Sequence, residues 1–348
     1  HGMCANGMQF EAAKLWNELF SKGFSPNTVT SNALVYGLCK AGNVQEGIQI
    51  FNEMRERNIM LDTYSYNAVM LGFCSETRVE DCFHLLEEMK SSSVQPDTCT
   101  YNLLLLGLCN SGKLDEAVNF WDELKRTGYV PNLYSFAVMI AAYCKAGKIE
   151  EGENLFREMV SKNIDSNSAV FNTLICAYCK VGNMSAAYFL CDDMRRKNIP
   201  FTVFTYSSLI HGLCINGLVD KASNLLVEMR KEGISPNVVC YTALIGGFCK
   251  LGMMDKVDEI LREMSHYDVK PNLITYTIMI DAHCKLRNHG AALALLREMK
   301  DFSITPDVVI LNTLANKATN ETNVGVTSAT EDRMLERSIV WKKLHILC

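Results

Sequence analysis

The chain has 348 residues, 48% of them hydrophobic, and a formal net charge of -5. That is enough apolar material to bury a large surface, while the acidic balance excludes a simple polycation that coats nucleic acid and leaves room only for a localised basic or polar groove. Fifteen cysteines would suit a secreted disulfide scaffold in a short chain, but here nine recur at one place on an apolar helical face, which predicts buried, reduced thiols and a reducing intracellular compartment.

Shifted against itself by 35 residues, the sequence aligns Cys4, Cys39, Cys74, Cys109, Cys144, Cys179, Cys214, Cys249 and Cys284 without an insertion or deletion. Strict self-similarity at this period predicts a helical solenoid, in which each unit buries its apolar face against its neighbours, and so one elongated domain. Residues 1–27 supply a partial unit running through Phe10 to Leu19 and the turn Gly23 to Pro26, where an uncovered stacking face predicts fraying. The chain starts with His1 in mid-unit and has no initiator Met, so a native N-terminus further upstream is expected, with the chain a fragment. Eight complete units follow at 28–62, 63–97, 98–132, 133–167, 168–202, 203–237, 238–272 and 273–307, and residues 308–348 form a ninth that loses the pattern.

Within a unit, apolar residues fall at positions 4, 7, 8 and 11, then at 17, 20, 21, 24 and 27; in the seventh unit these are Tyr241, Leu244, Ile245 and Phe248, then Met254, Val257, Asp258, Leu261 and Met264, with Asp258 the one exception. Spacings of three and four predict two amphipathic helices. Gly stands between them at position 15 (Gly42, Gly112, Gly147, Gly182, Gly217, Gly252), suited to a positive φ at a helix end, and the second helix closes near Gly233 and its equivalents. Pro at position 34 (Pro26, Pro96, Pro131, Pro236, Pro271, Pro306) blocks continuation and resets the chain.

Several patterns could be taken for chemistry. The acidic pairs Glu80–Asp81, Asp115–Glu116 and Glu150–Glu151 recur in the first turn of the second helix, where the helix dipole favours carboxylates, so they read as structural and not as acid–base pairs. Met54, Met89, Met159, Met194, Met229, Met264 and Met299 read as repeating core. Cys176 and Cys179 form one CxxC with no second pair at zinc spacing, so no metal is expected. No apolar run is long enough to span a bilayer, and no signal or transit peptide is visible.

The 35-residue period, the segment TYNLLLLGLCNSGKLDEAVNFWDELKRTGYVPN (Thr100 to Asn132) and the GLCKAG of Gly37 to Gly42 closely resemble the pentatricopeptide repeat proteins, over residues 1 to about 314. The nearest rival, the tetratricopeptide repeat, has a 34-residue period and a W-x2-L-G-x2-Y pattern, neither of which occurs. Uniform units resemble the pure class of the family. The resemblance implies an all-α, right-handed superhelical α-solenoid that binds single-stranded RNA, about one nucleotide per repeat, in organellar RNA processing, stability or translation.

In that family positions 5 and 35 address the base edge, position 2 packs on the base plane and a lysine at position 13 faces the phosphates. Carried over, position 5 is Asn32, Asn67, Asn102, Ala137, Asn172, Ser207, Thr242 and Thr277, and position 35 is Asp62, Asp97, Asn132, Asn167, Thr202, Asn237, Asn272 and Asp307. A short polar side chain near a helix start is expected to point into a groove, where Asn, Ser, Thr and Asp differ in their donors and acceptors. The plainer reading of these residues is as helix caps. Position 2 is Val29, Tyr64, Cys99, Tyr134, Ala169, Phe204, Val239 and Ile274; position 13 keeps Lys40, Lys145, Lys180, Lys250 and Lys285 but has Ser75, Asn110 and Ile215 elsewhere. A lysine at a helix end also suits the dipole without any phosphate. The family's pairing rules imply U for Asn32/Asp62 and for Asn67/Asp97, C or U for Asn102/Asn132 and nothing definite for Ala137/Asn167. They imply a pyrimidine for Asn172/Thr202, A for Ser207/Asn237 and for Thr242/Asn272, and G for Thr277/Asp307. The implied site is 5′-UU(C/U)N(C/U)AAG-3′, weakest at the fourth and fifth units, where Ala137 lacks a polar group and Ala169 offers little surface.

After Leu314 the segment ANKATNETNVGVTSATED reads as a disordered connection, and Arg333 to Leu347 as a short amphipathic helix through Met334, Ile339, Trp341 and Leu344 or as a misread gene end. The HxE and PCxxC segments of the family's deaminase-like extensions do not occur, nor does HExxH, so a binding module without catalysis or cofactor is expected. Its expected partners are RNA and recruited protein factors, as a monomer, in a mitochondrion or chloroplast. The other reading is an α-solenoid scaffold holding a protein or peptide in its groove. Its mark would be apolar or random residues at positions 5 and 35.

Overall fold

The computed structural model describes residues 26–311 together with Met8, Glu11, Lys14, Trp16, Glu18 and residues 22–24. The expected fraying at 1–27, the ninth unit beyond Leu311 and the helix at Arg333 to Leu347 therefore lie largely or wholly outside the described residues. Every complete helix in the described stretch is thirteen residues long: α1 (Thr28–Lys40), α2 (Val44–Glu56), α3 (Thr63–Ser75), α4 (Val79–Ser91), α5 (Thr98–Asn110), α6 (Leu114–Arg126), α7 (Leu133–Lys145) and α8 (Ile149–Ser161). They continue as α9 (Ser168–Lys180), α10 (Met184–Arg196), α11 (Val203–Ile215), α12 (Val219–Lys231), α13 (Val238–Lys250), α14 (Met254–His266), α15 (Leu273–Lys285) and α16 (His289–Asp301). Odd and even helices pair as hairpins, and the described chain is all-α.

The turn within each hairpin follows from backbone sterics. At the end of α1 the Asn43 N–H reaches back to the Leu38 carbonyl at 3.0 Å, closing the helix through Gly42 at φ +87°. That left-handed conformation costs a residue with Cβ about 1 kcal/mol or more, hence Gly at six of the eight turns. Thr77 and Arg287 accept the same conformation, at φ +58° each.

The chain divides into two compact units, the first ending at Leu174 and the second starting at Ile175, within α9. In the first, α1 packs on α2 and α3, α3 on α5, and α5 on α7. Its core runs through Val35, Leu38, Phe51, Met54, Tyr66, Val69, Met70 and Met89. In the second, α11 packs on α12 and α13, and α13 on α14 and α15, around Tyr241, Leu244, Ile245, Met264, Tyr276 and Met299. Small residues permit this closeness: a Cβ built on Gly212 of α11 would stand 2.7 Å from Cys179 Cβ of the preceding hairpin.

The first-helix stripe at positions 4, 7, 8 and 11 is buried in the seventh unit through Tyr241, Leu244, Ile245 and Phe248. The second-helix stripe needs correction. Asp258 at position 21 is exposed, and Ile260 at position 23 is buried instead. At 3.6 residues per turn, positions 20, 23, 24 and 27 share one face and position 21 lies about 110° from its centre, so Asp258 interrupts nothing.

Neighbouring second helices are tied by charge. Glu88 of α4 accepts from the Tyr66 hydroxyl at 2.9 Å and pairs with Arg55 of α2, and Glu263 of α14 likewise takes the Tyr241 hydroxyl at 3.2 Å and Arg230 of α12. The acidic pairs of the first turns join a similar ladder, with Lys113 on Glu80 and Lys148 on Asp115 at 3.7 Å.

Most thiols of the stripe are buried, namely Cys39, Cys74, Cys109, Cys179, Cys214 and Cys284, whereas Cys144 and Cys249 are half-buried; burial pushes the Cys39, Cys179 and Cys214 thiols up to about 12. Cys99 is exposed.

His283 stands at position 11 of the eighth unit, where the seventh has Phe248, and its Nδ1 is buried without a hydrogen-bond partner among the described residues. Burial lowers its pKa below 6.5, against an opposing pull from Asp258. Because the unfolded chain then takes up the proton first, stability is held above pH 6.5 and lost as pH falls through that value. Melting temperatures measured between pH 7.5 and 5.5 should fall with pH, and His283→Phe should flatten that fall.

Candidate nucleic-acid interface

The starts of the odd helices decide the geometry. Four N–H groups at the head of any helix lack an intrahelical acceptor, and the last residue of the preceding unit supplies one. Asp62, Asp97, Asn132, Thr202 and Asn272 each form a capping box with the hydroxyl residue three positions on. Asn237 accepts from the Val239 and Cys240 N–H groups, and Asn167 and Asp307 from those of Val170 and Ile310. Position 35 is thus a helix cap throughout, and the plainer reading of these residues holds beside any other role.

The same caps reach position 5. Asn32 Nδ2 donates to Asp62 Oδ1 at 2.9 Å while its Oδ1 accepts from the Ser65 hydroxyl at 2.7 Å. One unit on, Asn67 Nδ2 donates to Asp97 Oδ1 at 3.1 Å and its Oδ1 accepts from the Thr100 hydroxyl at 2.8 Å. Position 5 is therefore a floor and not a projection: Asn32, Asn67, Asn102, Asn172, Ser207 and Thr242 are all buried, whereas Asp62, Asp97, Asn132, Asn167 and Asn237 are exposed. A short amide held by two neighbours has no freedom to reach outward. The expectation of a side chain pointing freely into a groove is replaced by a polar floor with an exposed carboxylate or amide beside it.

Above that floor stand the position 2 residues. Val29 is 75% exposed, Ile274 61%, Phe204 56% and Tyr64 50%, with Tyr134, Val239 and Cys99 also exposed. In the first unit Tyr64, Cys99 and Tyr134 wall a groove of about 650 Å³ whose polar lining includes Asn67, Asp97, Asn102 and Asn132. A second groove, of about 790 Å³, lies in the other unit between Val239 and Ile274, with Thr242, Asn272, Lys250 and Lys285 in its lining. Mostly apolar position 2 residues thus stand above a polar floor from one repeat to the next.

Family models settle the membership. One for the PPR repeat family matches residues 26–75, 61–110, 96–145, 166–215, 202–250, 236–285 and 274–317, and a PPR repeat model matches 134–164. The chain belongs to the PPR repeat family. Among solved structures it is similar to the pentatricopeptide repeat protein PPR10 from maize, at 20% identity and a TM-score of 0.74, over 98% of this chain and 47% of that one. It is also similar to PPR10 in complex with an 18-nt psaJ RNA element, at 20% identity and a TM-score of 0.78, over 92% of this chain and 48% of that one. The chain thus spans about half the length of the structures it matches, and at this identity the likeness is one of fold. A search of curated protein sequences gives no significant match.

In PPR terms the remaining site residues vary by unit. Thr242 shares a hydrogen bond with the Thr275 hydroxyl at 2.7 Å, Ser207 turns back to the Phe204 carbonyl at 3.1 Å, and Thr277 to the Leu273 carbonyl at 2.7 Å. Ala137 contributes no polar atom. The lysines at position 13 are all exposed, but Lys40 lies over the Tyr36 ring at 5.6 Å and Lys285 pairs with Asp281 at 2.6 Å, so not every one is a free cation. Where Ile215 replaces the lysine, His211 lies in the second groove, its pKa lowered by burial and by Lys250 and Lys180. Sequence reasoning passed over His211 and Tyr129; the latter donates its hydroxyl to Asn102 Oδ1 at 2.7 Å. Among the described residues no group of three or more His, Cys, Asp or Glu could hold a metal ion, and no helix is long and apolar enough to cross a membrane.

Asp97 shows what the cap is worth. Burial raises its pKa, but the Thr100 N–H, the Asn67 amide and the Thr100 hydroxyl outweigh this and leave the carboxyl below 3.8. Its contribution is present above that value and lost as pH falls below it. Asp97→Ala should cost about 1–2 kcal/mol in a urea titration, while Asp97→Asn, which keeps the Oδ1 acceptor, should cost only a few tenths.

Proposed function

We propose that the chain binds single-stranded RNA, about one nucleotide per repeat, with positions 5 and 35 reading the base and position 2 lying against its face. The observation that carries this reading is the wired pair at the floor of the first two slots. In Asn32/Asp62 and Asn67/Asp97 the capping and cross-helix bonds to the carboxylate converge on Oδ1. The second carboxylate oxygen is then the acceptor offered to a base, and the second hydrogen of the Asn amide is the donor. A donor beside an anionic acceptor matches the O4 and N3–H of uracil and opposes the acceptor N3 of cytosine. Exposed Tyr64, Tyr134 and Phe204 supply faces on which bases stack, each worth roughly 1–3 kcal/mol.

The reading extends to the proposed order U, U, C or U, any base, a pyrimidine, A, A, G along the eight repeats. RNA binding in the PPR10 complex agrees in kind with this reading. The reading gives the chain no chemistry of its own: it acts by occupying RNA, shielding it from nucleases or ribosomes or holding it for a partner protein.

Fluorescence anisotropy with labelled UUCUCAAG, a scrambled octamer and the matching DNA tests the reading. Selective RNA binding is expected, with a log–log salt slope of about -0.7 for each lysine on a phosphate. Changing Asn237 and Asn272 together to Asp preserves both caps and should move the preference at those two nucleotides from A to G. A folded protein that binds no RNA, or binds all octamers alike, would replace this reading with the protein scaffold.

A further inference from the structure

Position 32, three residues before the cap, is Ile59, Val94, Ile164, Ile199, Ile234, Val269 and Ile304 in seven repeats and Tyr129 in the third. Its backbone is seated like the others: the Tyr129 N–H donates to the Leu124 carbonyl as the Ile59 N–H does to that of Met54. The difference lies in the ring, which crosses to Tyr101, edge to face at 5.9 Å, and brings its hydroxyl to Asn102 Oδ1 at 2.7 Å. Burial raises the phenol above its ordinary pKa, against a weaker pull from the Ser135 hydroxyl, so it remains a donor at neutral pH.

That contact rewires the third slot. In the first two, the position 3 hydroxyl of the next repeat, Ser65 or Thr100, donates to the Asn Oδ1, and the Asn amide donates to the cap. Here Tyr129 has taken the Oδ1, and the Ser135 hydroxyl turns to the Asn132 carbonyl at 2.8 Å. Among the described residues Asn102 Nδ2 makes no hydrogen bond to protein, and Asn132 Oδ1 is committed to the Ser135 N–H at 3.0 Å. Both residues line the 650 Å³ groove.

Building on the RNA reading above, we propose that Tyr129 is a specificity-determining residue: by holding Asn102 Oδ1 it presents the amide nitrogens of Asn102 and Asn132 to the third nucleotide and selects cytosine over uracil there. Two donors suit the N3 and O2 acceptors of cytosine, whereas the N3–H of uracil would meet a donor with a donor. Tyr129 need not touch the base; it fixes which way the amide beneath the base faces.

The test measures dissociation constants for UUXUCAAG, with X each of the four bases, alongside octamers varied at the second nucleotide. The wild-type chain should prefer C to U at the third nucleotide by about tenfold, the scale of one mismatched hydrogen bond. Tyr129→Phe, which keeps the ring, and Tyr129→Ile, which restores the residue type of the other repeats, should both reduce that ratio to no more than about twofold while leaving the preference for U at the second nucleotide intact. Thermal melts establish that each variant is folded. An unchanged ratio in both variants, or a wild type indifferent to C and U at this one nucleotide while discriminating at the second, overturns the role of Tyr129 and leaves the RNA reading standing. A wild type that discriminates nowhere overturns both.

Discussion

The whole arrangement depends on the oxygen that caps each odd helix. Asp62 Oδ1 accepts from the Ser65 N–H and the Asn32 amide, while the Ser65 hydroxyl beside it donates to Asn32 Oδ1. One atom therefore ends a repeat, starts the next and fixes the residue on the groove floor. Removing a cap disturbs all three at once, which is why polarity at position 35 serves folding even where no ligand is bound. It also means that position 35 serves the fold before any other role is added: the helix requires an acceptor, and at Asp62 and Asp97 the capping bonds fall on Oδ1.

Charge is partitioned along the same lines. The chain carries a net -5, yet many of its carboxylates are occupied between second helices, as in Glu88 with Arg55 and Tyr66, or Glu158 with Lys125 and Lys162. Exposed pairs of this kind contribute about 0–1 kcal/mol each to stability. Their larger effect is on the field: with these acids paired on the second helices, the groove side carries amides, hydroxyls and lysines beside a small number of carboxylates such as Asp62, Asp97 and Asp281. An acidic protein can in this way present a surface that tolerates a polyanion.

Much of this was legible in the sequence because a repeated pattern averages out accident. Seven copies of Tyr or Phe at position 4, with the apolar residues at 7, 8 and 11, located the first helix and its buried face, and Gly at position 15 located the turn. Position 21 misled because flank residues such as Ile48, Phe83 and Leu293 are apolar without being deeply buried, so composition could not separate them from position 23. The burial of Asn32 and Asn67 was hidden for a different reason: a polar residue that is satisfied by its neighbours reads the same in sequence as one that faces water. Tyr129 did leave a signal, a single aromatic in a column of Ile and Val, and would have been found by searching each column for its exception.

The bonds from Ser65 to Asn32 and from Thr100 to Asn67 each span 33 residues, and the charge pairs from Arg55 to Glu88 and from Arg230 to Glu263 span the same interval. One added residue between the partners would turn the following helix by about 100° and misalign the row of contacts on that side together. Change of length in such a chain is therefore quantised. It can be lengthened or shortened by a hairpin at a time, through duplication or loss of an entire coding segment, while anything smaller is removed by the failure of its neighbours to fit. Diversity is left to accumulate by substitution within columns, one column at a time.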